Sequence, residues 1–204
     1  MRMTSPIGDF PLRISSFDRC LVEGNGLDAL GFCTWRFHWG MLFGTSEKWW
    51  GDKGLRRRPH EGIDFCLFRD INERDQNLNP GIRIPLMYDG EVVKIDDDYL
   101  AKSVYAMHPI YDGNGSQLLS AYAHVIPLPS IDVGSVLHEG EMIATIADLE
   151  GKRSLLSPHL HVSMAWVPSM LSHECIDWDT LANPDMVTLL DPLDCMSCQY
   201  LVIP

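Results

Sequence analysis

Nowhere does the chain hold about 18 consecutive apolar residues, the length a helix needs to cross a bilayer, so no membrane insertion is expected. Positive charge is scarce as well: 16 Lys and Arg stand against 28 Asp and Glu, a formal net charge of −12. Nucleic acid and anionic membranes attract proteins through positive surfaces, so neither is an expected partner. The one local exception, Arg56-Arg57-Arg58, reads as a solvated loop rather than an anion site. Cysteine is sparse, with six residues at positions 20, 33, 66, 175, 195 and 198, too scattered for a disulfide scaffold. Cys195-Met196-Ser197-Cys198 is a lone CxxC pair. A zinc knuckle needs a second pair and a thioredoxin-like site needs a βαβ setting, so buried thiols or a local disulfide are expected there. The opening M-R-M-T-S-P-I-G-D-F-P-L lacks the apolar h-region of a secretory signal. On that ground a cytoplasmic location is expected, unless a leader has been removed.

What the chain does have is apolar content and strand patterning. Hydrophobic residues make up 46% of it, enough for a packed core. Trp35, Phe37 and Trp39 alternate in W-R-F-H-W, a strand signal, inside an aromatic cluster for which packing is the favoured role. From residue 81 onward the pattern is β throughout. An Asp89-Gly90 turn leads into Glu91–Ile95, and further strands are predicted at Ser103–Met107, Gln117–Val125, Glu141–Ala147 and Leu160–Val167. No convincing amphipathic helix lies between residues 80 and 168. Short strands joined by turns mean a mainly β fold, a compact antiparallel sheet or sandwich. Three segments are expected: residues 1–57 as an aromatic-rich extension on the core, 58–168 as the functional domain, and 169–204 as a tail holding one short helix and wrapping the core.

The histidines carry the chemistry. Pro59-His60-Glu61-Gly62-Ile63-Asp64-Phe65 looks at first like a worn HExxH zinc helix. That motif works only when a helix stacks positions i and i+4. Gly62 weakens a helix, and Ile63-Asp64-Phe65 favours a strand. In a strand, His60 and Asp64 share a face but stand about 13 Å apart, so they meet at one metal only if the chain bends, which Gly62 permits. Glu61 then points away and is not the general base. His159-Leu160-His161 within a strand puts two imidazoles on one face about 6.6 Å apart. His60, Asp64 and one of that pair give three ligands with an open fourth position, the arrangement of catalytic zinc sites. His124 ends a predicted strand, and Tyr122, two residues earlier, shares its face as a candidate lining of the substrate groove.

Taken in order, these motifs resemble the lysostaphin or LytM-type zinc metallopeptidases, which hydrolyse peptide bonds in peptidoglycan. The resemblance runs from about residue 58 to 167. It rests on His60-Glu-Gly-Ile-Asp64, on Gly81 to Val93, on Ala121-Tyr-Ala-His124, on Val133 to Ile143 and on Ser157-Pro-His159-Leu-His161-Val. It implies a duplicated-hybrid-motif type of β fold and one zinc ion on His60, Asp64 and His161. It also implies His124 and His159 as the catalytic pair beside it, and peptidoglycan crosslinks or small-residue peptides as substrates. The family is usually exported. The sequence departs from the pattern at 149–156, where a glycine-rich turn is replaced, and at 69–79, an insertion that lengthens the first connection. A net charge of −12 disfavours a broad lysin acting on anionic wall polymers. Two alternatives remain: a zinc-binding interaction module without turnover, and a zinc peptidase or amidohydrolase acting on a cytosolic substrate. His38 is a lesser candidate to cover the site, and His108, His138 and His173 receive no role.

Overall fold

The computed structural model describes residues 12–149 and 156–203. The opening segment and most of the 149–156 departure lie outside the described residues. Among the described residues, the elements open with helix α1 (Phe17–Glu23), then β1 (Phe32–His38), β2 (Ile63–Phe65), β3 (Leu67–Asp70), β4 (Asp75–Asn77) and β5 (Arg83–Pro85). A meander follows, formed by β6 (Gly90–Asp97), β7 (Lys102–Tyr111) and β8 (Ser116–Pro127), then β9 (Val136–Leu137) and β10 (Met142–Ile146). The last elements are β11 (Leu160–Pro168), helix α2 (Trp178–Leu181), β12 (Thr188–Leu190) and β13 (Tyr200–Ile203). The fold is mainly β, as the short strands and turn residues require.

Two sheets result. The larger runs β12-β11-β8-β7-β6-β9, with β2 also on β11 and with β10 joining β8 to β5. The smaller runs β13-β1-β3-β4, β13 lying parallel to β1. Between the sheets sits the main core, organised around Phe65, whose ring stands 4.9 Å from Trp35, 5.5 Å from Phe37 and 6.1 Å from Phe17. Phe17, Trp35 and Phe37 before residue 58, and Cys195 and Met196 near the other end, thus bury their apolar area in this core. The opposite face of that sheet carries Tyr105, Ala121, Ala165 and Val167, covered by Ile176, Leu181 and Val187 from the tail.

Four local expectations change. The alternation of the aromatic cluster stops one residue early, for Trp39 opens a 3-10 turn and is 55% exposed. The 69–79 insertion is a β3–β4 hairpin rather than a plain loop. Its Asp70 carboxylate accepts the N–H groups of Asn72 and Arg74 at 2.8 and 2.9 Å, closing the turn. The helix at Phe17–Glu23 was not foreseen, since its apolar face is only Phe17, Leu21 and Val22. Finally, the tail holds the short helix expected of it but also supplies a strand to each sheet.

Candidate metal centre

Strand alternation sorts the site. In β11, Leu160, Val162 and Met164 enter the main core, so His161 and Ser163 face the other way, towards Ala165 and Val167. β2 pairs antiparallel with β11 and sets Asp64 directly opposite His161, while Ile63 and Phe65 fill the core. The chain bends at Glu61 and Gly62, and the bend delivers His60. Gly62 serves a second purpose: a Cβ there would stand 2.0 Å from the Val162 carbonyl oxygen and 2.6 Å from Ser163 Oγ. No side chain fits so close an approach of β2 to β11.

The resulting triangle is tight. His60 Nε2 lies 3.0 Å from His161 Nδ1 and 3.3 Å from Asp64 Oδ1, and His161 Nδ1 lies 2.9 Å from Asp64 Oδ1. Ligands at 2.0–2.2 Å from a tetrahedral zinc ion stand about 3.3 Å apart, so the triangle matches three corners of such a shell. The protonation of the rings points the same way. His60 Nδ1 meets the Leu42 carbonyl at 3.1 Å, which cannot donate, so Nδ1 carries the proton and Nε2 is left bare. His161 Nε2 meets Ser163 Oγ at 2.8 Å, a partner able to accept its proton and free Nδ1. With that tautomer three lone-pair atoms converge on one point, a set that a cation would hold together, whereas the other tautomer of His161 donates its Nδ1–H to Asp64 Oδ1. Burial works to raise the Asp64 pKa, but the imidazoles of His60 and His161 hold it well below the usual carboxylate range. Burial in turn lowers that of His161.

His159 and His124 flank this triangle. His159 Nδ1 donates to the Ser157 carbonyl at 2.8 Å, leaving Nε2 bare at 3.9 Å from Asp64 Oδ1. Its burial pushes its pKa down to about 4. His124 reaches the site through its backbone. Regular alternation would send it to the main core with Leu118 and Tyr122, but its φ is +64°. That left-handed residue inverts the parity: Val125 takes the core position instead, and His124 turns to the face of Ala121 and Ala123. Asp98 holds the turn, accepting the His124 N–H at 2.8 Å and facing its Nδ1 at 3.2 Å. The rings of His124 and His159 are 4.7 Å apart.

The inversion corrects the reading of Tyr122. It shares no face with His124. It is fully buried beneath Phe17, and its hydroxyl accepts the Met87 N–H at 2.8 Å. His38 does not line the cavity in front of the triangle but a different surface depression, with Met41, Trp50 and Cys66, which borders the site through Trp49 and Ser157. Glu61 stays outside the triangle but lines the cavity in front of it. That cavity, of about 320 Å³, is bounded by Arg56, Glu61, Asp98, Tyr99, His124, His161 and Trp178.

Four partners escaped the sequence reading. Trp49 donates its indole N–H to Asp64 Oδ2 at 2.6 Å and stands edge-on to His159, ring centroids 5.2 Å apart. Arg56 reaches Asp64 Oδ2 at 3.6 Å and stacks on Trp50, so this member of the arginine triplet is not solvated. Asp98 was hidden in the acidic run Asp96-Asp97-Asp98. Only Ser163, two residues beyond His161 on the same strand, carried a legible signal. Among described residues, His60, Asp64 and His161 are the only set of three ligand-type side chains placed to hold a metal. No helix there is long and apolar enough to cross a membrane.

Comparison with protein families finds no match, and comparison with curated proteins finds none. Among solved structures, the chain is similar to LytU at 18% identity, with TM-score 0.42, over 72% of this chain and 90% of that one. A zinc-containing peptidase from Vibrio cholerae is similar at 20% identity and TM-score 0.43, over 67% of this chain and 35% of that one. Lysostaphin, the namesake of the family that the motifs resemble, is similar at 17% identity and TM-score 0.40, over 67% and 49%. The chain thus spans about a third of the second protein and half of the third.

Proposed function

We propose that the chain is a zinc-dependent metallopeptidase that hydrolyses peptide bonds, with peptidoglycan crosslinks the first substrates to test. The observation that carries this reading is the triangle of His60, Asp64 and His161, with edges of 2.9 to 3.3 Å, bordered by two more imidazoles and open to a cavity. These three side chains would hold the ion. Zinc in such a setting polarises a carbonyl oxygen and brings a water's pKa to about 7. Asp98 keeps the His124 proton on Nδ1, and the Ser157 carbonyl does the same for His159. Both rings therefore offer a bare Nε2, one to accept the proton of the attacking water and, once protonated, to return it to the departing amine. The same ring, once protonated, would be an N–H donor available to a developing oxyanion. Arg56 and Trp49 occupy the far oxygen of Asp64 and keep the near one aimed at the ligands.

Elemental analysis of purified protein, beside mass spectrometry of digested sacculi and short peptides, tests this. One zinc per chain is expected. His161→Ala should lose the metal, while His159→Ala and His124→Ala should keep it and lose turnover by about a hundredfold or more. A second reading, a zinc-holding module without turnover, is favoured by the burial of the triangle, since the side chains of His60, Asp64 and His161 are exposed by only 1%, 3% and 8%. Stoichiometric zinc with no cleavage of any peptide would select it.

A further inference from the structure

A second cavity adjoins the first. It measures about 340 Å³ and has Phe43, Leu181, Ala182, Val187 and Leu189 in its walls. Glu61 lines both cavities, and α2 borders both, with Trp178 on the first and Leu181 on the second. Its walls come from the loop after β1, from residues 58–61 and from the tail at 181–189. Apart from residues 58–61, none of this lies within the stretch that carries the motif resemblance.

We propose that this cavity is a substrate side-chain pocket, which takes one large apolar residue (leucine, methionine or phenylalanine in size) of a peptide lying across the metal triangle. The proposal rests on the peptidase reading and narrows its substrate class away from glycine runs. Three features fix the chemistry of the occupant. Leu181 and Val187, although themselves buried, present an apolar wall. Among the described residues, no buried charged side chain lines the cavity. The buried His60 has its Nδ1 committed to Leu42, and Arg58 is 57% exposed at the rim, paired at 3.2 Å with Asp179, itself 92% exposed. Such an exposed pair is weak, so the rim opens at little cost. A concave apolar floor with a few polar groups at its edge is how proteins select an apolar ligand. Burying a leucine or phenylalanine side chain there should favour binding over glycine by about 10- to 100-fold.

The test uses blocked hexapeptides identical except for Gly, Ala, Leu or Phe at each position in turn. Binding is measured by calorimetry on the zinc-loaded His159→Ala chain, and cleavage by mass spectrometry on the unaltered chain. Leu and Phe at one position should bind at least tenfold tighter than Gly. Ala182→Trp, which fills the cavity, should cut that preference below twofold while zinc stays at one per chain. Val187→Thr, nearly equal in volume but polar, should also lower it if the tryptophan variant fails to fold. Equal binding of all four residues, a preference for Gly, or a Leu preference that both variants leave intact would each overturn the pocket. If Leu and Phe bind tightly as expected and the unaltered chain cleaves nothing, the pocket stands and the peptidase reading falls.

Discussion

One oxygen of Asp64 faces the imidazoles and the other faces Trp49 and Arg56, so the carboxylate is aimed before any metal arrives. Partners of this kind set ligand orientation, and removing one usually costs about 10- to 100-fold in metal affinity. Trp49→Phe keeps the ring against His159 but removes the N–H that Asp64 Oδ2 accepts. Zinc affinity, measured by competition with a chromogenic chelator, should fall by about that factor while the circular dichroism spectrum is unchanged. An unaltered affinity would mean that the indole only packs. His124 makes a separate prediction, because its φ of +64° is free for glycine and costs other residues about 1 kcal/mol or more. Both His124→Gly and His124→Ala remove the ring from Asp98. Urea unfolding should therefore show the glycine variant to be the more stable by about 1 kcal/mol. The residues that announced themselves in the sequence, His60, Asp64, His159 and His161, did so because their types are rare together, the histidine pair at strand spacing and His60 with Asp64 across a glycine that permits a bend. Trp49 and Asp98 did not, since an indole in an aromatic cluster and an aspartate in an acidic run have commoner uses, and their partners lie 15 and 26 residues away.

At the scale of elements, the centre depends on β2, only three residues long, being pressed against β11. Phe65 anchors it in the core from one side, and Gly62 allows the approach at its start. Gly62→Ala places a methyl group 2.0 Å from the Val162 carbonyl oxygen, and a backbone atom in a paired strand cannot retreat. The expected result is a loss of about 1–3 kcal/mol in urea unfolding, with zinc content reduced in whatever folds. Full stability together with full zinc would show that the two strands are not held this close. Most strands were legible because the turn residues between them, such as Asp89-Gly90, and the apolar runs agree. The parity change in β8 was not, since a left-handed histidine leaves no mark in an alternation pattern. Tyr122 was consequently assigned to the wrong face. The tail strands β12 and β13 were missed because each is short and complements a sheet formed by distant sequence.

For the whole molecule, acid stability follows from two kinds of group, one buried and one partly buried, that act in successive windows. His108 is fully buried between the Asp89 carbonyl at 3.0 Å and Ser120 Oγ at 2.8 Å, and burial lowers its pKa from 6.5 to about 4. Between those values the unfolded chain binds a proton that the folded chain refuses, so stability falls as pH drops from 6.5 to 4, by about 3 kcal/mol for this group. Glu139 belongs to the lower window. Burial works to raise its pKa, but Arg13 and the Ser16 N–H and hydroxyl hold it at about 2. The stability it contributes is present above its unfolded pKa of 4.5 and is lost as pH falls from there towards 2. In metal-free protein His159, also lowered to about 4, adds to the upper window, so the two must be separated by comparison. His108→Gln removes only the His108 share. The difference in unfolding free energy between the unaltered chain and this variant, read from urea titrations at half-unit steps, should change in the variant's favour by about 3 kcal/mol between pH 6.5 and 4, then level off below. A difference that is flat across that interval would mean His108 accepts its proton while the chain is folded, and that the network joining β7 to β8 through Ser120 opens without unfolding.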